Sequence, residues 1–300
     1  MRRFFYNSSL HHTASIEALH QRPLGDSLRL TDDIYHHWCR VLRAKVGEQS
    51  WIFDGLGGQS LVELESIDKK SATVKIIHQD TAENTCNYHS TIALVMSRGD
   101  RMDYAIQKAT ELGATTIQLL TSQHGEVRLK ANQVDKKLSH WQQVALSASE
   151  QCRLNRPTLI LSPLSIEQWL QGEMGAVHHM VQHLYDADYY QSYLQQPILP
   201  LVLAVPSQQE QQTLDINAQI TDHFASANIK GTNPDSTAAY LPRFDILIGA
   251  EGGLSEAEYQ LARNTGYLPW QLGNRVLRTE TAPVVALATL MYISTNAAQN

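Results

Sequence analysis

The chain has 300 residues, 43% hydrophobic and 18% charged, with a formal net charge of −6. That is an ordinary globular composition, long enough for one large core or two smaller ones. No apolar run approaches the length of a membrane span. The N-terminal MRRFFYNSSLHH carries arginines without an apolar signal core, so no export signal is expected.

The cysteines Cys39, Cys86 and Cys152 are scattered with no CxxC spacing. This argues against a disulfide framework or a zinc site and suits a reducing cytoplasm. Three adjacent histidine pairs, His11-His12, His36-His37 and His178-His179, are read as surface or packing residues, with no metal expected. Sequence neighbours point apart on a regular strand or helix and make poor metal pairs. The charge is uneven. Residues 98–156 hold nine Lys/Arg against six Asp/Glu, a local +3, whereas residues 157–300 hold five against thirteen. The basic middle is either a phosphate-facing stripe or a solvated helix face.

Residues 1–85 are expected to form a small β-rich domain. Arg3–Tyr6 and Ser27–Thr31 are short strand candidates. A short helix opens at Asp32-Asp33 and runs through Leu42, with Ile34, Trp38, Val41 and Leu42 on its apolar face. Strands over Gln49–Asp54, Gln59–Glu65 and Ser71–Ile77 are separated by glycine and Asp-Lys-Lys turns, a pattern that suggests a small barrel. Arg40, Arg43 and Lys45 gather at the helix end, where they either touch RNA phosphates or offset the helix dipole.

The polar stretch Thr81–His89 marks the boundary. From residue 86 to the end, strands and helices alternate: strand Thr91–Met96, helix Arg101–Leu112, strand Thr115–Leu120, helix Gln133–Gln151, strand Thr158–Leu161, helical turn Ile166–Leu170. Alternation of this kind implies a mainly parallel sheet with crossover helices. Residues 172–198 and 208–242 are weakly periodic and rich in Gln, Asn, Ser, Tyr and Pro. They read as surface insertions flanking a strand candidate over Leu199–Pro206.

The most informative stretch is Asp245–Ile293. An apolar strand, Ile246-Leu247-Ile248, ends in Gly249-Ala250-Glu251-Gly252-Gly253. Ser255 and Glu258 form a capping-box pattern, and Leu254 is placed to staple onto Tyr259. A short strand Trp270–Leu272 leads into a second loop, Gly273 to Thr281, that carries Arg275, Arg278 and Glu280. A final helix, apolar nearly all round, belongs in a core or an interface. Ligands of open α/β sheets sit beyond the carboxyl ends of the strands, where both loops fall. No GxGxxG or GxxxxGK[ST] motif is present, which argues against a nucleotide cofactor held by its phosphates.

Four motifs in order, RMDYAIQKATELG, EQCRLNR, LIGAEGGLSEAE and LGNRVLRTETA, follow a β domain containing HHWCRVLRAKVGE. Together they resemble the bacterial ribosomal RNA small-subunit uridine-N3 methyltransferase family (RsmE-type) of the SPOUT superfamily, across the whole chain except the two insertions. The resemblance implies a PUA-like N-terminal domain and a C-terminal α/β domain with a trefoil knot. It further implies S-adenosylmethionine as cofactor, a homodimer, and 16S rRNA in the small ribosomal subunit as substrate. The implied cofactor pocket is formed by Ala204-Val205-Pro206, by Gly249, Glu251, Gly252 and Gly253, and by Leu272, Gly273, Arg275, Val276, Leu277 and Arg278. Ala250 departs from the proline usual in the family.

Methylation at uracil N3 removes a proton and builds charge on the flanking carbonyl oxygens. Arg278 first, and Arg275 second, are the expected stabilisers of that charge. Glu280 is either the general base or the group that orients Arg278. The orienting role is preferred, because a carboxylate beside two arginines is a poor base. RNA contacts are expected from Arg40, Arg43, Arg98, Arg101, Lys108, Arg153 and Arg156. The competing readings are a SPOUT enzyme acting on tRNA and a non-catalytic ribosome assembly factor.

Overall fold

The computed structural model describes residues 1–8, 18–204, 215–230 and 241–297. The chain divides into two compact units, Met1–Thr85 with Leu146–Pro157, and Cys86–Ala145 with Thr158–Asn300. Among the described residues, no helix is long and apolar enough to cross a membrane.

The first unit holds strands β1 (Arg3–Phe5), β2 (Ser27–Arg29), β3 (Gln49–Phe53), β4 (Gln59–Ile67) and β5 (Ala72–Asp80) in one sheet of order β1-β3-β4-β5-β2. Alternate residues point inward, as a half-buried strand requires: Ser60, Val62 and Leu64 on β4 are buried, as are Ala72, Val74 and Ile76 on β5. They pack with Phe4, Leu28, Trp38 and Ile52. The Tyr6 hydroxyl donates to the Arg29 carbonyl at 3.2 Å, linking the chain just beyond β1 to the opposite edge strand.

The expected helix over 32–42 is present in altered form. One α-turn, α1 (Asp32–Ile34), runs into a π-helix over Tyr35–Val41. Leu42 N–H donates to the His37 carbonyl, five residues back, at 3.0 Å. The wider winding turns Val41 outward to 57% exposure, where a 3.6-residue period would face it inward. Tyr35 fixes the segment by donating from its hydroxyl to the Asp68 and Lys69 carbonyls at 2.9 and 2.8 Å.

From sequence, all of residues 86–300 are expected in the second domain; Leu146–Pro157 instead belongs to the first unit. Arg3 supplies the reason. Its guanidinium lies 3.5 Å over the Phe53 ring. It donates to the carbonyls of Ser149 and Leu154 at 2.8 and 3.2 Å, and to Asn155 Oδ1 at 3.0 Å.

The second unit is built on a six-stranded sheet of β6 (His89–Val95), β7 (Thr116–Thr121), β8 (Leu159–Ser165), β9 (Ile198–Leu203), β10 (Arg243–Ile248) and β11 (Leu268–Trp270). Its order is β11-β9-β10-β6-β7-β8, and every neighbouring pair is parallel. Odd and even residues of the strands face opposite layers. Ile92, Leu94, Phe244, Ile246 and Ile248 pack under α2 (Asp100–Glu111), α3 (Ala131–Cys152), α7 (Ile216–Lys230) and α9 (Ala282–Ala297). Ala93, Val95 and Leu247 pack under α4 (Ile166–Leu170) and α8 (Glu256–Asn264).

The two segments expected to be surface insertions contribute to these layers, which corrects that expectation. Residues 172–198 contain α5 (Gln182–Tyr185) and α6 (Asp188–Leu194), and Tyr190 and Tyr193 of α6 are fully buried. The Tyr193 hydroxyl bonds to Thr91 Oγ1 and, at 3.0 Å, to Thr116 Oγ1. Arg243 lies 4.6 Å over its ring and holds Asp245 through two 3.1 Å bonds. Within residues 208–242, α7 places Ile216, Ile220 and Phe224 in the core at four-residue spacing. The first segment escapes detection because polar side chains with buried partners look like solvent-facing ones in a hydropathy pattern; in the second, three apolar residues at four-residue spacing stand among many polar ones.

Candidate functional site

Strands β9, β10 and β11 end side by side. A cavity of about 540 Å³ opens beyond their carboxyl ends, lined by Leu203, Ala204, residues 248–250 and 252–254, Trp270, Leu272, residues 275–277, Thr279 and others. A larger cavity, about 780 Å³, is enclosed by the 121–129 segment, the start of α4 and the start of α8. The two glycine-bearing loops line only the smaller one, which is therefore the candidate site.

The first loop is shaped by what glycine permits. A Cβ on Gly249 would lie 2.9 Å from both the Gly253 carbonyl carbon and the Leu254 nitrogen, closer than real side chains approach backbone. Gly253 adopts φ +72° and donates its N–H to the Ala250 carbonyl at 2.8 Å, closing the turn. The capping box forms as expected. Ser255 Oγ accepts from Glu258 N–H at 3.3 Å, and Glu258 Oε2 accepts from Ser255 N–H at 2.8 Å. The second Glu258 oxygen accepts from Gln123 N–H at 2.7 Å, so one buried carboxylate caps α8 and fixes the chain after β7. Leu254 and Tyr259 pack in the same cluster, as a hydrophobic staple requires.

The second loop is joined to the first by Thr279, 2% exposed, whose hydroxyl donates to the Gly249 carbonyl at 3.4 Å. Its end is fixed by N–H donation from Thr281 and Ala282 to the Arg278 carbonyl at 2.9 and 3.0 Å. Ala204 N–H donates to the Trp270 carbonyl at 3.1 Å, which ties the end of β9 to β11.

Of the residues expected to hold cofactor, Ala204, Gly249, Gly252, Gly253, Leu272, Arg275, Val276 and Leu277 line the cavity. Glu251, Gly273 and Arg278 belong to the loops without lining it, and Val205 and Pro206 lie outside the described residues. Glu251 points to α2 and forms an ion pair with Arg101. Arg278 is exposed, with Nη1 4.0 Å from Glu280 Oε1. The other Glu280 oxygen, Oε2, is buried with no hydrogen-bond partner among the described residues. Lining residues outside the expected cofactor set include Leu203, Glu256, Tyr259, Trp270 and Thr279. Trp270 ends β11 and Glu256 opens α8, so position beside the loops was their signal; Tyr259 and Thr279 had none.

The cations expected to meet RNA differ in their commitments. In the second unit Arg98 pairs with Glu126 at 3.0 Å, Lys108 with Glu111 at 2.8 Å, and Arg101 with Glu251. In the first unit Arg156 grips Glu83 through two 2.7 Å bonds, and Arg40 donates to the Lys69 carbonyl. Arg43 and Arg153 are exposed and both hold positive φ, 55° and 67°. His124 was not anticipated; its Nδ1 lies 3.3 Å from the Gly252 carbonyl.

Two family models match the chain. One, described as an RNA methyltransferase domain, matches residues 84–199 and 191–291; another, an RNA methyltransferase PUA domain, matches residues 30–77. The Ribosomal RNA small subunit methyltransferase E of Bacillus subtilis (strain 168) is 26% identical over 263 residues, 88% of this chain and 89% of the relative. That of Buchnera aphidicola subsp. Acyrthosiphon pisum (strain APS) is 24% identical over 261 residues, 87% and 86% of the two chains. The structure of a Ribosomal RNA small subunit methyltransferase E from Neisseria gonorrhoeae bound to S-adenosyl methionine matches at TM-score 0.70 and 26% identity, over 98% of both chains. With one model spanning the parallel sheet and its two glycine loops and the other lying in the β-rich unit, the chain belongs to the RNA methyltransferase domain family and carries an RNA methyltransferase PUA domain.

Proposed function

We propose that the protein is an S-adenosylmethionine-dependent methyltransferase acting on N3 of one uridine in 16S rRNA. The observation that carries this reading is the 540 Å³ cavity walled by two glycine-bearing loops that Thr279 joins. The residues present fit the cofactor. Gly249, Gly252 and Gly253 line the cavity with backbone, while Leu203, Trp270 and Leu272 give an apolar wall suited to an adenine ring. Residues 249–253 and 272–277, with Ala204, would hold it. When bound, the cofactor supplies a methyl group on a sulfonium.

The chain's own residues must align the uracil and manage its N3 proton. Arg278 stands exposed at the loop end, free to meet the charge that develops on the uracil carbonyls. Glu280 orients Arg278 and keeps one buried oxygen with no hydrogen-bond partner among the described residues. The N3 edge is the pairing edge, so the target nucleotide must be unpaired or flipped out. In this reading the protein works in the cytoplasm as a homodimer, and the C-terminal unit carries a trefoil knot. The outward face of α9, where Met291 and Tyr292 are 43% and 71% exposed, is suited to the dimer contact. The negative net charge favours an assembled small subunit over naked rRNA as substrate.

The test is transfer of labelled methyl from S-adenosylmethionine to small subunits that lack their native uridine methylation, followed by nucleoside analysis. Label in 3-methyluridine at one position is expected. Label found only on tRNA would reassign the substrate, and tight cofactor binding without transfer to any RNA would favour an assembly factor.

A further inference from the structure

His178 and His179 do not diverge as neighbours on a regular element would. The backbone at His178 is extended, with φ −66° and ψ 141°, and the chain then turns into a 3-10 helix over His179–Val181. That break in direction stacks the two imidazoles, with centroids 4.0 Å apart and planes at 41°. Asp135, on the first turns of α3, meets them: its Oδ1 lies 3.4 Å from His178 Nε2. One donor atom from each of the three residues lies within 4.8 Å of the others. The His178 side chain is 3% exposed, whereas that of Asp135 is 81% exposed.

We propose that Asp135, His178 and His179 form a binding site for a divalent zinc-like metal ion, which clips the 172–198 segment to α3. The donor set selects the cation class. Two imidazoles and one carboxylate suit zinc and its transition-metal neighbours, whereas magnesium and calcium take oxygen donors. Tetrahedral coordination brings donors to about 3.4 Å from one another. The exposed Asp135 and His179 side chains close that gap by rotation about a His178 that packing holds still. His178 Nδ1 now accepts from Met180 N–H at 3.3 Å. A cation at Nε2 displaces the proton that this tautomer carries there; the neutral ring then holds its proton on Nδ1, and the acceptance from Met180 N–H is given up as part of the cost of binding. Three protein donors leave a coordination position for water. The clip has a mechanical consequence, since the segment it would anchor is the one that buries Tyr193 against the sheet.

The full chain, freed of metal with a chelator, is titrated with zinc sulfate by calorimetry, and its melting temperature is read with and without zinc. One equivalent is expected to bind with micromolar or tighter Kd and to raise Tm, with no such response to magnesium. Because His178 is buried and its removal risks the fold, the deciding variants are the exposed ones, His179→Ala and Asp135→Asn. Each is expected to weaken zinc at least tenfold and to abolish the Tm rise, with Tm in chelator unchanged. Absence of stoichiometric binding, or zinc affinity unchanged in both variants, overturns the site and leaves only an adventitious ion on other histidines. Methyl transfer by the metal-free chain bears on the catalytic reading alone, so the two proposals fail separately.

Discussion

Arg275 and Arg278 lie three residues apart in sequence and occupy different positions. Arg275 lines the cavity, whereas Arg278 is exposed beyond it with Glu280 at 4.0 Å. Arg275→Ala is therefore expected to weaken cofactor binding about tenfold, the loss of one polar anchor. Arg278→Ala is expected to leave cofactor Kd nearly unchanged and lower kcat by about 10²–10³, the usual cost of removing one charge-stabilising donor. Calorimetry with the cofactor and single-turnover transfer separate the two, and a reversed pattern would exchange their roles. A second contrast lies within the glycine turn. Gly249→Ala drives a methyl into backbone atoms at 2.9 Å, whereas a Cβ on Gly252 meets only His124 at 3.5 Å. Overpacking of the first kind costs about 1–3 kcal/mol. We expect Gly249→Ala to lose stability on that scale and at least tenfold in cofactor affinity, with Gly252→Ala close to wild type in urea denaturation. These glycines drew attention in the sequence only in company, because glycine at one strand end also suits an ordinary αβ turn, and it is the pair of loops followed by RVLRTET that points to a site. The Arg101–Glu251 pair was not legible, because nothing local to either residue names a partner so distant in the chain.

Among the elements, α8 shows how much one side chain can hold. The Glu258 carboxylate satisfies the Ser255 and Gln123 backbone N–H groups at 2.8 and 2.7 Å while buried to 5% exposure. Charge-assisted bonds of this kind contribute about 1.5–3 kcal/mol each and are not fully additive. Glu258→Ala is expected to cost about 3 kcal/mol in urea denaturation, with faster amide exchange at Gln123. Ser255→Ala removes one cap bond and should cost about 1 kcal/mol, with Gln123 exchange unchanged; equal effects of the two would deny Glu258 its second role. The cap was readable because Ser-x-x-Glu is a local pattern, while the bond to Gln123 is a tertiary choice the pattern does not contain. The same distinction covers the rest of the fold. Strands such as Ile246–Ile248 announce themselves by apolar runs, and Met102, Ile106 and Ala109 mark the inner face of α2 by helical spacing. The π-helix over Tyr35–Val41 differs from an α-helix by one residue of winding, which periodicity over so short a span does not resolve. Helix α6 is hidden because Tyr193 enters the core with its hydroxyl already provided for by Thr91 and Thr116.

At the scale of the whole molecule, burial raises carboxylates in both units, Asp245 beside Arg243 in the second among them, but among the described residues it lowers histidines only in the second. In the first unit Asp54 and Glu150 are held above the ordinary carboxylate pKa, chiefly by burial. In the second, burial holds His183 and His223 below the ordinary imidazole value. The signs follow from proton linkage. Between its raised folded pKa and its ordinary one, a carboxylate binds more protons folded than unfolded, so acidification through that interval adds stability. A histidine with a lowered folded pKa binds fewer protons folded than unfolded, so acidification below about 6.5 removes stability. His183 sharpens the effect, because neither ring nitrogen has a hydrogen-bond partner among the described residues and a charged ring would bury two unmet donors. His223 Nε2 already lies 3.1 Å from the Arg243 carbonyl, and this contact moderates its shift without reversing it. Lowering pH from about 7.5 to 5.5 should therefore loosen the second unit while the first holds or gains stability. Hydrogen exchange, corrected for the intrinsic pH dependence of amide rates, reads this out by segment. Protection should fall across β6, β7 and β10 and be maintained or rise across β3, β4 and β5. Parallel loss in both units would mean that the buried carboxylates titrate as ordinary ones. A second unit that keeps its protection would mean that His183 and His223 find solvent or a partner when charged. The two glycine-bearing loops sit on the second unit, so cofactor affinity measured over the same range should follow the exchange of β10 rather than that of β4.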